Sequence, residues 1–228
     1  MQTVNFNAIE KLDFRTKESY KTLRTNLEFS GRDRKVISVT SCTPNEGKTS
    51  VSFQLALSVA EGGKRVVLVD ADLRKSVLKG RYKTNASRYG LSHYLSGQAS
   101  IADVTCKTNI ENFYVIFCGP VPPNPAELLG TNNFKVAMDK LKTVYDYIIV
   151  DTPPLGSVID GAVIANECDG SIVVISANEV SRRFAKKVIE QLKRTNCPIL
   201  GVILNKVDTK NGSYGKYYGK EVDKYLDE

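Results

Sequence analysis

Lys48 follows Gly47 and precedes Thr49 in the loop Ser41-Cys42-Thr43-Pro44-Asn45-Glu46-Gly47-Lys48-Thr49-Ser50. Residues of these types in this order suit phosphate chemistry. Backbone N–H groups of such a loop, followed by a helix N-terminus, form a cradle for anions. Pro44, Asn45, Glu46, Gly47, Lys48, Thr49 and Ser50 are therefore expected to hold a nucleotide. Lys48 would reach the β- and γ-phosphates, and the Thr49 hydroxyl would bind Mg²⁺. Gly47 lets the backbone approach a phosphate closely. One letter departs from the phosphate-loop pattern: where glycine is expected, six positions before the lysine, stands Cys42.

Two further stretches supply carboxylates. One is Leu68-Val69-Asp70-Ala71-Asp72-Leu73-Arg74, and the other is Ile149-Val150-Asp151-Thr152-Pro153-Pro154. Acids at i and i+2 of a strand end can point the same way. Near phosphates, one could hold Mg²⁺ through water and the other could accept a proton. Four apolar residues and then Asp151 have the form of a second acid that supports Mg²⁺. Each acid alone reads equally well as a solvated strand end or a helix cap. Three of them beside a phosphate loop point to metal-assisted phosphoryl chemistry.

The elements that must position these groups are legible as apolar runs. Residues 36–39, 66–69, 113–117, 147–150, 171–175 and 199–204 read as buried strands. Helical segments lie between them at 49–61, 132–144 and 181–195, the last with Val188, Ile189 and Leu192 at helical spacing. Alternating strands and helices predict an α/β fold of the P-loop NTPase kind, a doubly wound, mostly parallel sheet with helices on both faces. In such sheets ligands bind beyond the carboxyl ends of the strands, where every group named above falls. Residues 14–29 predict an N-terminal helix with the apolar stripe Tyr20, Leu23 and Leu27, and with Glu18, Lys21 and Arg24 on a neighbouring face. The expected organisation is an N-terminal helix region over 1–30, a catalytic domain over 31–208 and a flexible tail over 209–228.

The 228 residues, 42% hydrophobic and 25% charged, suit a soluble globular protein of one domain with a full core, or at most two small ones. No apolar run approaches the roughly 20 residues of a membrane span, and no secretory signal is visible, so a cytosolic chain is expected. The five cysteines form no C-x-x-C pair, which argues against zinc or a disulfide framework. A net charge of +7 could favour acidic partners or anionic lipid. No block of Lys or Arg and no alternating aromatic and basic ladder accompanies it, so nucleic acid is not an expected partner.

The pattern P-x-E-G-K-T, then V-D-A-D-L-R, then I-I-V-D-T-P-P resembles the bacterial tyrosine kinases, a P-loop family that autophosphorylates and serves capsule and exopolysaccharide synthesis. The stretch Gly119-Pro120-Val121-Pro122-Pro123-Asn124-Pro125-Ala126-Glu127-Leu128-Leu129 adds to the resemblance, which covers nearly the whole chain and points to the stand-alone cytosolic type of Firmicutes. Their phosphate loop often lacks the first glycine, as Cys42 does here. The resemblance implies ATP and Mg²⁺ as cofactors. It implies phosphate contacts from Lys48 and Thr49, catalytic and metal-linked roles for Asp70 and Asp72, and metal support from Asp151. Asp70 is the choice for the base that engages the incoming tyrosine hydroxyl, whose ordinary pKa near 10 calls for one. Arg74 either stabilises the transferring phosphate or pairs with an acid, and Asn205 lies near the adenine.

The same resemblance gives Glu18-Ser-Tyr-Lys21-Thr-Leu-Arg24 a role in ring assembly. Here Lys21 replaces the middle arginine of the family's E-x-x-R-x-x-R and gives up bidentate pairing. It makes Tyr214, Tyr217, Tyr218 and Tyr225 an autophosphorylation cluster, used in trans. Each phosphate adds about −1.5 to −2 charge. A phosphorylated tail would resist staying beside ATP and acidic residues, loosening the ring. The implied partners are a transmembrane activator (a polysaccharide co-polymerase) that recruits the chain to the inner face of the membrane, further copies of the chain in a ring, and a cognate tyrosine phosphatase.

Two other readings share the motifs. A partitioning-type ATPase would carry a lysine five positions before Lys48, where Thr43 stands, and would lack the tyrosine-rich tail. A GTPase would read guanine with Asn205-Lys206-Val207-Asp208, which spells N-K-x-D.

Overall fold

In the computed structural model, residues 1–31, 33–85 and 87–207 are described. The tail expected over 209–228, with its four tyrosines, and Asp208 lie outside them. The strands among the described residues are β1 (Gln2–Val4), β2 (Val36–Ser41), β3 (Val66–Asp70), β4 (Thr105–Thr108), β5 (Phe113–Ile116), β6 (Tyr147–Asp151), β7 (Gly170–Ser176) and β8 (Ile199–Asn205). The helices are α1 (Phe14–Phe29), α2 (Lys48–Glu61), α3 (Leu78–Arg81), α4 (Leu91–Leu95), α5 (Ile101–Val104), α6 (Pro125–Leu129), α7 (Asn132–Lys142), α8 (Asp160–Ala165) and α9 (Arg182–Leu192).

The sheet runs β1-β4-β5-β3-β6-β2-β7-β8. β5, β3, β6, β2, β7 and β8 are mutually parallel, while β4 is antiparallel to β5 and β1 follows β4. The six apolar runs are these six parallel strands. β1 and β4 are the additions, short and largely polar segments at one margin of the sheet whose sequences carry no apolar run.

Residues alternate between two cores. Ile37, Val39, Leu68, Val115, Ile149 and Val174 pack beneath α1 and α2. Val36, Val67, Val69, Ile148, Val150 and Val173 pack on the opposite face with α7, α8 and α9. Burial on both faces explains why these strands read as continuous apolar runs.

α1 is capped by Asp13, whose side chain accepts from the Thr16 N–H at 2.9 Å. It lays Leu27 into the core with Tyr20 and Leu23 beside it. Ahead of it, Phe6 is buried in an aromatic knot with Phe53, Tyr82 and Phe113. Phe53 stacks on Tyr82 at 3.8 Å between centroids and meets Phe6 edge-on at 4.9 Å.

Phe53 has no exposed surface. Phe53→Ala should therefore lower the unfolding free energy by about 3–5 kcal/mol. Phe29→Ala, at a side chain 82% exposed, should stay within about 0.5 kcal/mol. Urea denaturation of the two variants checks the pair.

Candidate active site

The loop after β2 is built around Glu46, which is fully buried. Its Oε1 accepts from the Thr43 N–H and, at 2.9 Å, from the Thr43 hydroxyl, while Oε2 accepts from the Ser176 N–H at 2.9 Å. The Glu46 carbonyl accepts from Asn205 Nδ2, also at 2.9 Å. One residue thus ties the loop to itself and to the ends of β7 and β8. Asn45 and Gly47 take left-handed backbone conformations, φ 67° and 88°. A Cβ at Gly47 would also collide with the Asn205 amide. Cys42 is not among the positive-φ residues, so nothing there demands glycine. Its side chain is buried in the core, and burial first, then Glu46, pushes its thiol up to about 11.

Beyond the loop, α2 starts at Lys48, whose ammonium lies among oxygens. It is 3.3 Å from Asp72 Oδ2, 3.4 Å from Thr49 Oγ1 and 3.7 Å from Asp151 Oδ1. Burial opposes the charge on Lys48, but Asp151 and Asp72 outweigh it and its pKa is raised. Asp72 Oδ1 is held by the N–H groups of Arg74 and Lys75 at 3.3 and 3.0 Å. Asp151 Oδ1 accepts from the Ser52 hydroxyl at 3.2 Å.

Asp70 and Asp151 are register partners on β3 and β6, so both carboxylates stand on one side of the sheet end. Asp70 is fully buried. Its Oδ2 accepts from the Ser76 hydroxyl, and its Oδ1 has no hydrogen-bond partner among the described residues. Burial, then the charge of Asp151, pushes its pKa up to about 7. Burial likewise raises Asp151, against the pull of Lys48.

The structure brings Lys48, Thr49, Asp70, Asp72 and Asp151 together at the carboxyl edge of the sheet. Thr49, Asp72 and Asp151 already gather one cation, the lysine, and all three offer oxygen. Such a donor set suits Mg²⁺, which takes one or two carboxylates and completes its shell with phosphate and water.

Other expected site residues fall elsewhere. Arg74 turns away from the cluster and grips Asp160 with two bonds, at 2.8 and 3.0 Å. Asp160 is fully buried at the start of α8, so this pair pins the segment after β3 to α8. Pro44 and Asn45 are exposed on the loop. Ser50 and Asn205 line a cavity of about 480 Å³ next to the loop, closed by Ile9, Tyr20, Gln54 and Tyr82. Asn205 donates one amide N–H to the Glu46 carbonyl, and Lys206 pairs with Glu179 at 3.1 Å. On α1, Lys21 pairs with Glu18 at 2.6 Å, whereas Arg24 donates to the Ser58 carbonyl at 2.7 Å.

Sequence reasoning did not single out Ser76, Asp160 or the bracing role of Glu46. An exposed arginine that reaches a buried acid 86 residues away leaves no spacing signal, and a loop glutamate gives no sign of which amides it accepts from.

The profile of the AAA domain family matches residues 34–199. The chain is 42% identical over 208 residues to the tyrosine-protein kinase CpsD of Streptococcus agalactiae, covering 90% of this chain and 91% of the relative. Among solved structures, the kinase domain of the Escherichia coli tyrosine kinase ETK superposes with a TM-score of 0.80 at 33% identity, over 84% of this chain and 75% of that one. The septum site-determining protein MinD of Pyrococcus horikoshii, complexed with Mg-ADP, gives a TM-score of 0.64 at 27% identity, over 75% and 69%.

Glu46→Ala removes the acceptor of two backbone amides and should loosen the loop. Amide exchange at Thr43 and Ser176 should rise, and nucleotide affinity should fall by about tenfold or more, in line with about 1–3 kcal/mol per orphaned buried donor. Glu46→Gln keeps one oxygen and should fall between. Hydrogen-exchange mass spectrometry and calorimetric titration with nucleotide measure both effects.

Proposed function

The chain belongs to the bacterial tyrosine-protein kinases, and on that premise we propose that it uses ATP with Mg²⁺ to phosphorylate the tyrosines of its own tail. Tyr214, Tyr217, Tyr218 and Tyr225 are the proposed acceptors, reached in trans on a neighbouring copy. The observation that carries this reading is the Lys48 ammonium held by Thr49, Asp72 and Asp151 while Asp70 Oδ1, beside them, lacks a partner among the described residues.

ATP would lie with its phosphates on the loop backbone and on Lys48, and its nucleoside toward Ser50, Asn205 and the adjoining cavity. In the transfer, the bond from the γ-phosphorus to the β,γ-bridging oxygen breaks and ADP departs. A bond forms between the same phosphorus and the tyrosine oxygen, and the phenolic proton passes to Asp70 Oδ1. Asp70 is suited to accept it, because its other oxygen is fixed by Ser76 and burial sets its pKa near neutrality. Lys48 offsets charge on the phosphate oxygens. Thr49, Asp72 and Asp151 would hold Mg²⁺, which when bound neutralises phosphate charge. Arg74 acts by positioning, through Asp160.

The resemblance extends the proposal. The chain would regulate capsular or exopolysaccharide synthesis and export. A transmembrane activator would recruit it to the inner face of the membrane, and a tyrosine phosphatase would reset it. Among the described residues no helix is long and apolar enough to cross a membrane. Glu18, Lys21 and Arg24 would contribute to a ring. With Arg24 engaged on Ser58 of its own chain, the Glu18–Lys21 pair is the exposed part of that face.

Mixing Lys48→Met chains with wild type in the presence of ATP, Mg²⁺ and an activator fragment should place phosphate on the Lys48→Met tails. Mass spectrometry that finds phosphotyrosine only on wild-type chains would exclude transfer in trans, and none on any chain would sink the kinase reading. Asp70→Asn should lower kcat by about 10²–10⁴ with nucleotide affinity little changed; an unaltered kcat would remove Asp70 as the base.

A further inference from the structure

One flank of the molecule carries positive charge that nothing described on it balances. α9 sets Arg182 and Lys186 along one row and Arg183 and Lys187 along the next, each pair four residues apart, and Lys193 and Arg194 follow just past its end. Val188 and Leu192 point the other way, into the core. Lys193 is paired with Glu190 at 3.1 Å. Arg182, Arg183, Lys186, Lys187 and Arg194 form no ion pair with any acid among the described residues, and most of this row stands open to solvent.

Next to α9 the sheet ends at β8. The register pairs Val173 with Val202 and Ile175 with Leu204, which sets both β8 residues on the α9 face. They are 49% and 54% exposed. A basic helix and an apolar strip therefore lie on one flank.

The chain leaves the sheet beside this flank. The Ala177 N–H donates to the Asn205 carbonyl at 2.8 Å, and Lys206 pairs with Glu179, three residues before α9 begins. Residues 208–228 continue from there. Positions 209–228 hold four lysines and four acidic residues, so they carry no net charge as translated. Phosphates on four tyrosines would give them about −6 to −8, facing five unpaired cations.

Building on the proposed tail phosphorylation, we infer that the α9–β8 flank is the docking surface for the phosphorylated tail of the same chain. Tyr214 and Tyr218 lie seven and eleven residues beyond Val207, a reach of up to about 25 and 39 Å. α9, at 11 residues, is about 16 Å long, so every basic side chain on it is within reach. A short tether supplies an effective concentration of order millimolar, well above what a separate chain provides. The tyrosine rings, Val222 and Leu226 give Val202 and Leu204 apolar partners. Asp70, Asp72 and Asp151 repel the same phosphates from the active site. Phosphorylation then both ends the tail's life as a substrate and parks it on a surface that ignores it beforehand.

The test uses a fluorescent peptide of residues 208–228 with phosphotyrosine at Tyr214, Tyr217 and Tyr218, titrated into the full chain after phosphatase treatment. It should bind at least tenfold more tightly than the unphosphorylated peptide. Its affinity should fall at least tenfold in the R182E/R183E/K186E/K187E variant, and should weaken as salt is raised. Equal affinity for wild type and variant, or for the two peptides, overturns the inference. So does a wild-type chain that binds phosphatidylserine vesicles through this flank but not the phosphopeptide. Unchanged nucleotide affinity certifies the variant's fold; should it misfold, K186Q/K187Q should still weaken binding measurably, and no loss there counts against the inference. Because the peptide is synthetic, the result stands apart from whether the chain phosphorylates its own tail, which mass spectrometry after incubation with ATP reads separately.

Discussion

The Lys48 ammonium amid carboxylate oxygens is the interaction on which the site depends. Asp72, Asp151 and Asp70 converge because β3 and β6 are adjacent and in register, so that Asp70 stands opposite Asp151. Left alone, such a group of buried acids would repel itself and protonate. Lys48 lies within 3.3–3.7 Å of Asp72 and Asp151 and offsets their charge, and their field raises its own pKa in return. Asp70 makes no such close pair with the lysine and is pushed up to about 7. One fold feature, parallel strands ending at the same level, thus creates both a cation-holding pair and an acid suited to proton transfer.

Lys48 can stand there only if the loop before it is rigid. Glu46 supplies that rigidity by accepting amides from the loop and from the end of β7, while its carbonyl takes the Asn205 amide from β8. The loop is braced against two strands rather than by a glycine at position 42. The departure at Cys42 is therefore harmless: the backbone there has no left-handed turn to make, and the thiol fills core space.

Most of the fold was legible. Six apolar runs became six parallel strands, and the helix expected at 14–29 is Phe14–Phe29. β1 and β4 were not legible, because strands of three and four mostly polar residues carry no apolar run. At the site, Lys48, Thr49, Asp70, Asp72 and Asp151 could be collected from sequence because strand ends place them. Groups that depend on tertiary approach could not. Arg74 had two possible partners in the sequence, and only folding brings Asp160 to it. Ser76 reaches back six residues to Asp70, a distance no periodicity announces. Asn205 also braces the loop through the Glu46 carbonyl, a bond that its expected place near the adenine did not announce.

With the proposed nucleotide chemistry, Lys48 and a divalent cation would draw on the same carboxylates, so that metal would enter with nucleotide, once phosphates had drawn the lysine to themselves. Manganese binding to the nucleotide-free chain, followed by electron paramagnetic resonance, tests this most directly. Wild type should bind the ion weakly, and Lys48→Met, its carboxylates stripped of their ammonium, should bind it about tenfold or more tightly, a gain of about 1.4 kcal/mol. Equal or weaker binding by Lys48→Met would contradict the account.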